Sequence, residues 1–326
     1  MKFKDLEPIK SMYEVKKRSV MRMFDGVVEH TPIYHYTSGE ALKNIIENNE
    51  LWLTDSRFLN DKREIEHTKN MVQIIIDECM TLNKECFYVE DRFKDIVLEV
   101  LDELTYNMYI LSLSTNKDSA FLWSNYSNNE GYSIKFMADE IYKHIVCYTC
   151  TQQEKILFPI AGKVIYNEEE QKERLTQIVL TLYQIYLYYI NEKKIDFFND
   201  EVREIAAILM GCMIMYKKNV FSQEDEYRIA VIDLSGKFED VSFRFNKGAI
   251  IPYIKVPIIQ KKDVKYNQKL EEGIDVERLR ESAIEGIGIG PKNNIDIAQM
   301  GMEIFLKSRK IEKNIKVEQS GIPYRY

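Results

Sequence analysis

The sequence predicts an α+β protein organised as one large domain. Short β-patterned segments and helical ones alternate irregularly from Pro32 to Val317. Long apolar stripes at helical spacing dominate the middle of the chain, and neither a repeat nor a low-complexity linker divides it. At 326 residues the chain can bury a substantial core.

Composition narrows the class further. Hydrophobic residues make up 45% and charged residues 30%, a globular balance that excludes a disordered chain. A formal net charge of -7 argues against non-specific nucleic-acid binding. The strongest apolar run, Ile205 to Met215, spans eleven residues. A membrane span needs roughly 20, so this run predicts a buried core helix and no membrane partner. Five cysteines, an odd count, and a start in which Met1-Lys2-Phe3-Lys4 leads to Asp5 and Glu7 predict a reduced, cytoplasmic protein.

In chain order, residues 1–30 form an N-terminal helical segment, with a helix near Met12 to Phe24 bearing Lys16, Lys17, Arg18 and Arg22. The main domain is 31–326. Pro32 opens a strand ending near Tyr36; Thr37 and Glu40 have capping-box spacing, and Leu42, Ile45 and Ile46 give the next helix its buried face. Leu51-Trp52-Leu53 is a second strand, and Asp61 and Glu64 repeat the cap spacing before a helix through Met71 to Ile76. Tyr109 to Ser114 and Tyr132 to Phe136 read as strands flanking a loop and short helix over Thr115 to Tyr126. Ile145 to Cys150 and Val164-Ile165-Tyr166 also read as strands. Glu168 to Asn191 and Glu201 to Tyr216 make a helical insertion over about 167–218, after which Tyr227 to Ile232 is β again. Ile284 to Ile289, a helix over Asp296 to Lys307 and a strand at Ile315-Lys316-Val317 close the chain. Gly288 and Gly290 lack the third glycine of a dinucleotide fingerprint, which leaves backbone room at a strand end or, as the lesser reading, a phosphate contact.

His35 is the first candidate functional residue. It sits at a strand-to-helix junction, with Tyr34 and Tyr36 on the opposite side of the strand and the hydroxyls of Thr37 and Ser38 at the helix entrance. A neutral imidazole there can hold a ribose hydroxyl or an amide, or tie strand to loop. Trp123 and Tyr126, three apart, share a helical face and either pin a planar ring or plug the core. Ser112, Ser114 and Ser124 lack the glycine frame of a nucleophile elbow.

Glu224-Asp225-Glu226-Tyr227-Arg228 is the second constellation. In a regular strand Glu224, Glu226 and Arg228 share one face, and Asp225 and Tyr227 the other. A carboxylate there can stabilise positive charge developing on a ribose carbon, or simply pair with Arg228. Arg57, with a fork suited to two phosphate oxygens, could line the mouth of the His35 pocket beside Asn60, Asp61 and Glu64. His35, Asp61, Glu64 and His67 offer a weak mixed metal set, and Cys147 and Cys150 have CxxC spacing without a second pair. No structural metal is expected.

As an ordered set, these segments resemble the family known as domain of unknown function 2971. The matching pieces are Tyr34-His35-Tyr36-Thr37, Leu51-Trp52-Leu53, Phe58 to Glu64, Ser112-Leu113-Ser114, Trp123-Ser124-Asn125-Tyr126, Gly131 to Ile134, Glu224 to Ile229, Ile289-Gly290-Pro291 and Ile322 to Arg325. The opening strand and helix are more loosely similar to the ADP-ribosyltransferase fold. That likeness implies a mixed or antiparallel split β core with flanking helices, and NAD as co-substrate. It further implies His35 at the nicotinamide ribose, Tyr126 as aromatic wall and Glu226 as catalytic carboxylate, with Tyr36, Thr37, Ser38, Arg57 and Trp123 binding the cofactor. The function so implied is an NAD-consuming ADP-ribosyltransferase or NAD glycohydrolase, used as a bacterial antiviral defence or toxin-like effector on a protein or nucleic-acid acceptor. A non-catalytic sensor of a nucleotide or partner, and a metal-dependent nuclease or hydrolase at His35, Asp61, Glu64 and His67, stand as alternatives.

Overall fold

Ten strands among the described residues join into one sheet. The computed structural model describes residues 30–59, 63–82, 92–105, 107–152, 157–191, 209–233, 241–246, 248–259, 278–292, 294–311 and 315–323. The Met12 to Phe24 helix, the Asp61 cap and the first half of the Glu201 to Tyr216 helix lie outside them. The strands are β1 (Pro32–Thr37), β2 (Glu50–Asp55), β3 (Met108–Ser114), β4 (Tyr132–Met137), β5 (Leu157–Lys163), β6 (Glu226–Asp233), β7 (Ser242–Asn246), β8 (Ala249–Pro257), β9 (Gly286–Ile289) and β10 (Lys316–Gln319). The helices are α1 (Gly39–Asn48), α2 (Arg63–Leu82), α3 (Arg92–Thr105), α4 (Ala120–Ser127), α5 (Ala138–Thr151), α6 (Glu168–Asn191), α7 (209–215) and α8 (Ile295–Arg309).

Along the sheet the order is β10-β9-β4-β1-β3-β2-β8-β7, with β6 paired to β3 and β5 paired to β6. Every pairing is antiparallel except β9 with β10, so the sheet is mixed but largely antiparallel. The strand β3 has three neighbours on two edges. Strand β6 follows one edge from Met108↔Ile232 to Ser114↔Glu226. The other edge is shared: β2 meets it at Tyr109 and Ile110, and β1 only at Ser114. Between those contacts the sheet is split.

Each face of the sheet carries its own core. Ile110, Ala230 and Ile232 pack under α2, α6 and α7 through Val72, Ile76, Leu175, Val179, Met210 and Met213. On the opposite face Ile33, Leu53, Leu111, Ile134 and Ile229 meet Leu42 of α1, Ile141 and Ile145 of α5, and Leu306 of α8. Since β-strand side chains alternate, both faces of β3 and β6 are apolar over most of their length, as a two-sided core requires. One α+β domain results, with helices flanking the sheet and a helical stretch between β5 and β6. No helix of the described residues is long and apolar enough to cross a membrane.

Local details move several expected boundaries. The cap of α1 is Ser38, whose Oγ accepts from the Ala41 N–H at 3.2 Å, so Thr37 stays in β1. Ile145 to Cys150 is helical, part of α5, because Ile141, Ile145 and Tyr148 are buried at helical spacing. The strand expected at Val164 to Tyr166 comes earlier, as β5, and Ile165 makes a single bridge to Tyr216. At Gly131 a Cβ would stand 2.2 Å from the Thr37 carbonyl oxygen, so only glycine lets the turn after α4 close onto the end of β1. A Cβ at Gly290 would come within 2.8 Å of the Asn129 carbonyl, which fits the expected need for backbone room there.

Candidate functional site

The split along β3 opens a cleft of about 890 Å³. Into it His35 projects from β1, and its Nδ1 donates to the Ser112 carbonyl oxygen at 3.1 Å, on the edge that no strand occupies. Donation by Nδ1 leaves Nε2 of the neutral ring as an acceptor. Burial lowers the His35 pKa and the positive charge of Arg244 lowers it further, against the pull of the Ser112 bond, so the ring is neutral near pH 7. The Ser112 side chain is itself exposed in the cleft.

Across β3 the cleft wall is ionic. Glu226 and Arg228 alternate on β6 opposite Ser114 and Ser112, so all four side chains share one face. That is the face whose other end carries Ile110, Ala230 and Ile232. Arg228 grips Glu226 with Nε to Oε1 at 2.7 Å and Nη2 to Oε2 at 2.8 Å, and its Nη1 donates to the Ile214 carbonyl. Lys217, just beyond α7, reaches Glu224 Oε2 at 2.6 Å and Glu226 Oε2 at 3.2 Å. Tyr126 of α4 donates its hydroxyl to Glu224 Oε1 at 3.0 Å. Lys217, Glu224, Glu226 and Arg228 are each less than 10% exposed.

Such burial is tolerated only because the charges pair and bond. For Glu226, burial alone would raise the pKa; the Arg228 guanidinium, then Lys217 and the Ser112 hydroxyl, outweigh it and hold the carboxyl down at about 2. Burial first, and the Glu224 carboxylate second, push the Tyr126 phenol well up, so it stays a proton donor. The turn that delivers Glu226 has Asp225 at φ 42, in the left-handed region, and the Tyr166 hydroxyl accepts from the Glu226 N–H at 3.0 Å. That turn breaks strand regularity before Glu226, yet Glu224 still reaches the same cluster.

The residues singled out from the sequence fall into two groups. His35, Tyr36, Thr37, Ser38, Tyr126 and Glu226 all line the cleft, as does Glu224. Trp123 and Arg57 do not. Trp123 is 1% exposed, stacks edge-on against Tyr36 with ring centroids 4.8 Å apart, and donates Nε1 to Asp118 at 2.7 Å. It therefore anchors α4 from beneath while Tyr126, 38% exposed, meets the cleft. Arg57 folds its fork onto Asp55 at 2.9 and 2.6 Å. Of the metal candidates, Asp61 and the Glu64 side chain lie outside the described residues. Among the described residues His67 has a buried Nε2 without a hydrogen-bond partner, and no group of three His, Cys, Asp or Glu could hold a metal ion.

Sequence reasoning missed Lys217, Arg244 and the contribution of Trp52. Lys217 follows the apolar run of α7 and nothing local marks it for burial. Arg244 had a usable signal: in Phe243-Arg244-Phe245 the cation alternates with aromatics, so a strand sends it to one side and them to the other.

Residues 122–229 match the DUF2971 family model, described as a protein of unknown function. This DUF2971 stretch runs from α4 through the central helices into β6 and contains Tyr126, Lys217, Glu224, Glu226 and Arg228, the whole ionic wall. It is narrower than the likeness expected from Pro32 onward, and His35 lies outside it. No curated protein and no solved structure matches the chain.

Proposed function

We propose that the protein is an NAD-consuming ADP-ribosyltransferase or NAD glycohydrolase, used as a bacterial defence or toxin-like effector. The observation that carries this reading is the meeting of His35, Tyr126 and Glu226 in one cleft at the split of the sheet. The cleft has the size of a cofactor pocket, toward the upper end of the ~300–1,000 Å³ range. Aromatic walls at Tyr126 and Trp52, the exposed Ser112 side chain and the neutral His35 ring suit a nucleotide with its sugar.

NAD would supply a glycosidic bond whose cleavage leaves positive charge on a ribose carbon. Glu226 stays ionised well below neutral pH, so its carboxylate is ready to act on that charge. Because Arg228 and Lys217 also cancel much of its field, its main contribution is a fixed hydrogen-bond acceptor. A carboxylate has about four lone-pair sites. Nε and Nη2 of Arg228, Nζ of Lys217 and the Ser112 hydroxyl take all four, and the exposed Ser112 hydroxyl is the partner that a ribose hydroxyl would displace. His35 Nε2 accepts from another hydroxyl or amide of the same ligand, and Tyr126 both walls the pocket and holds Glu224.

The test is nicotinamide release from labelled NAD by the full chain, wild type against Glu226→Gln and Glu224→Gln. Glu226→Gln is expected to lower turnover by about 100-fold or more, the loss typical of a preorganised electrostatic group. If wild type neither releases nicotinamide nor binds NAD in the presence of protein and nucleic-acid acceptors, the reading falls. A second reading, a non-catalytic nucleotide sensor, is favoured by the bidentate lock of Arg228 on Glu226. It predicts NAD binding that His35→Ala weakens, with no turnover by any variant.

A further inference from the structure

Among the described residues the cleft charges do not all cancel. Lys217 and Arg228 face Glu224 and Glu226 at hydrogen-bond distance, two cations against two carboxylates. Arg244 of β7 also lines the cleft, and among the described residues no carboxylate pairs with it. Its guanidinium lies 5.7 Å from the Trp52 ring centroid and 5.6 Å from that of Tyr253, and Nη2 donates to the Thr54 hydroxyl at 2.8 Å. The stack and the Thr54 bond fix the plane of the fork, and Thr54 engages one N–H of the five that an arginine offers.

Position adds a second argument. Thr54 pairs with Tyr253 in β8 and with Ile110 in β3, so Arg244 stands over the β2 side of the split while Glu226 stands on the β6 side. A ligand crossing the split would touch both. Half-buried, Arg244 is partly stripped of water, which burial registers as a lowered pKa, and its charge is the one that acts on the His35 ring. Glu40 of α1 lines the cleft too, but as an exposed carboxylate its field is screened. A positioned, partly desolvated fork with no counter-charge among the described residues is suited to a bidentate anion.

We propose that Arg244 is the anion-recognising residue of the cleft and holds the phosphate of a nucleotide whose sugar reaches toward Glu226. This rests on the cleft being a ligand site, as in the function proposed above, and it assigns the polarity with which a nucleotide lies there. Trp52 and Tyr253 act on the ligand through Arg244, by keeping its fork flat and aimed.

Calorimetric titration of the full chain with ADP and with adenosine tests it. Wild type is expected to bind ADP at least tenfold more tightly than adenosine, with a preference that weakens as salt rises. Arg244→Met, which keeps a stem over Trp52, should erase the preference and leave adenosine binding unchanged; Arg244→Lys, which keeps the charge without the fork, should retain part of it. An undiminished ADP preference in Arg244→Met, or a wild type that binds neither probe, overturns the proposal. Nicotinamide release separates the two readings. Turnover whose KM is unmoved by Arg244→Met sinks the Arg244 assignment alone. Arg244-dependent ADP binding without any turnover sinks the enzyme alone.

Discussion

The strands β3 and β6 share one face along which two different environments sit end to end. At one end Ala230 and Ile232 lie under the helices in an apolar core, with Ile110 at the boundary where the cleft begins. At the other, two residue pairs further on, Ser112, Ser114, Arg228 and Glu226 line an open cleft. Pairing between β3 and β6 is the same throughout; the side-chain chemistry, the helices above and the other edge of β3, held by β2 at Ile110 and by no strand at Ser112, differ. An apolar end of this kind stabilises through area removed from water. The polar end gains little net stability, because desolvating two ion pairs offsets most of their attraction. Keeping such a cluster beside a cleft is an expense that folding does not require, and that is the physical reason to read it as a site.

Removing Arg228 is the severest way to test that difference. Arg228→Met takes the bidentate partner from the buried Glu226 carboxylate, leaving it Lys217 at 3.2 Å, and frees the Ile214 carbonyl; it should cost about 3 kcal/mol in urea unfolding, the low end for a broken buried pair. Replacing both partners, Arg228→Met with Glu226→Leu, should recover most of that loss while abolishing ligand binding. If the double variant is as unstable as the single one, the pair is structural and the contrast between the two ends disappears.

Acid should act on the same end. Glu226 has a folded value of about 2 against an ordinary 4.5. Its contribution is therefore fully present above 4.5 and is lost as pH falls toward 2. His35 works in the same sense higher up, since its folded value lies below 6.5 and its contribution is lost as pH falls below that. Unfolding curves at pH 7, 5, 3 and 2 should show stability falling, more shallowly in Glu226→Gln. Equal pH slopes in the two proteins would mean that the carboxylate is not held down by its cationic partners.

At the apolar end, Ile232→Val should cost about 1 kcal/mol and leave NAD binding untouched. A change in ligand affinity there would show that the two ends are coupled through the strands.

The contrast explains what the sequence could and could not convey. Glu226 and Arg228 were readable as same-face neighbours because strand alternation is local. His35 at the end of β1, and the helix after it, were readable for the same reason. The split was not, since it arises from β1 and β2 claiming opposite ends of one β3 edge, a pairing between segments far apart in the chain. Lys217 enters the site by the same long-range route. Trp123 and Tyr126 divide the two roles their spacing left open, because a helix of eight residues can bury one and expose the other three positions on. Ile145 to Cys150 misled because β-branched and aromatic residues follow one another there, and the packing of α5 overrode their propensity.

The finest probe is Tyr126→Phe. It deletes the hydroxyl that Glu224 Oε1 accepts at 3.0 Å and keeps the ring. Glu224 retains Lys217, and water can reach a residue that is 38% exposed, so the stability cost should be about 0.5 kcal/mol, the low end for a hydrogen bond. That is smaller than the Ile232→Val loss, although the deleted atom sits closer to the proposed chemistry. Function should respond in the opposite order. A freed Glu224 can draw Lys217 away from Glu226, so nicotinamide release should fall by about tenfold where Ile232→Val changes nothing. Thermal unfolding and turnover measured side by side check the crossing of the two rankings. Were Tyr126→Phe neutral in both, Tyr126 would be a bystander at the rim, and the polar end would have to work through Glu226 and His35 alone.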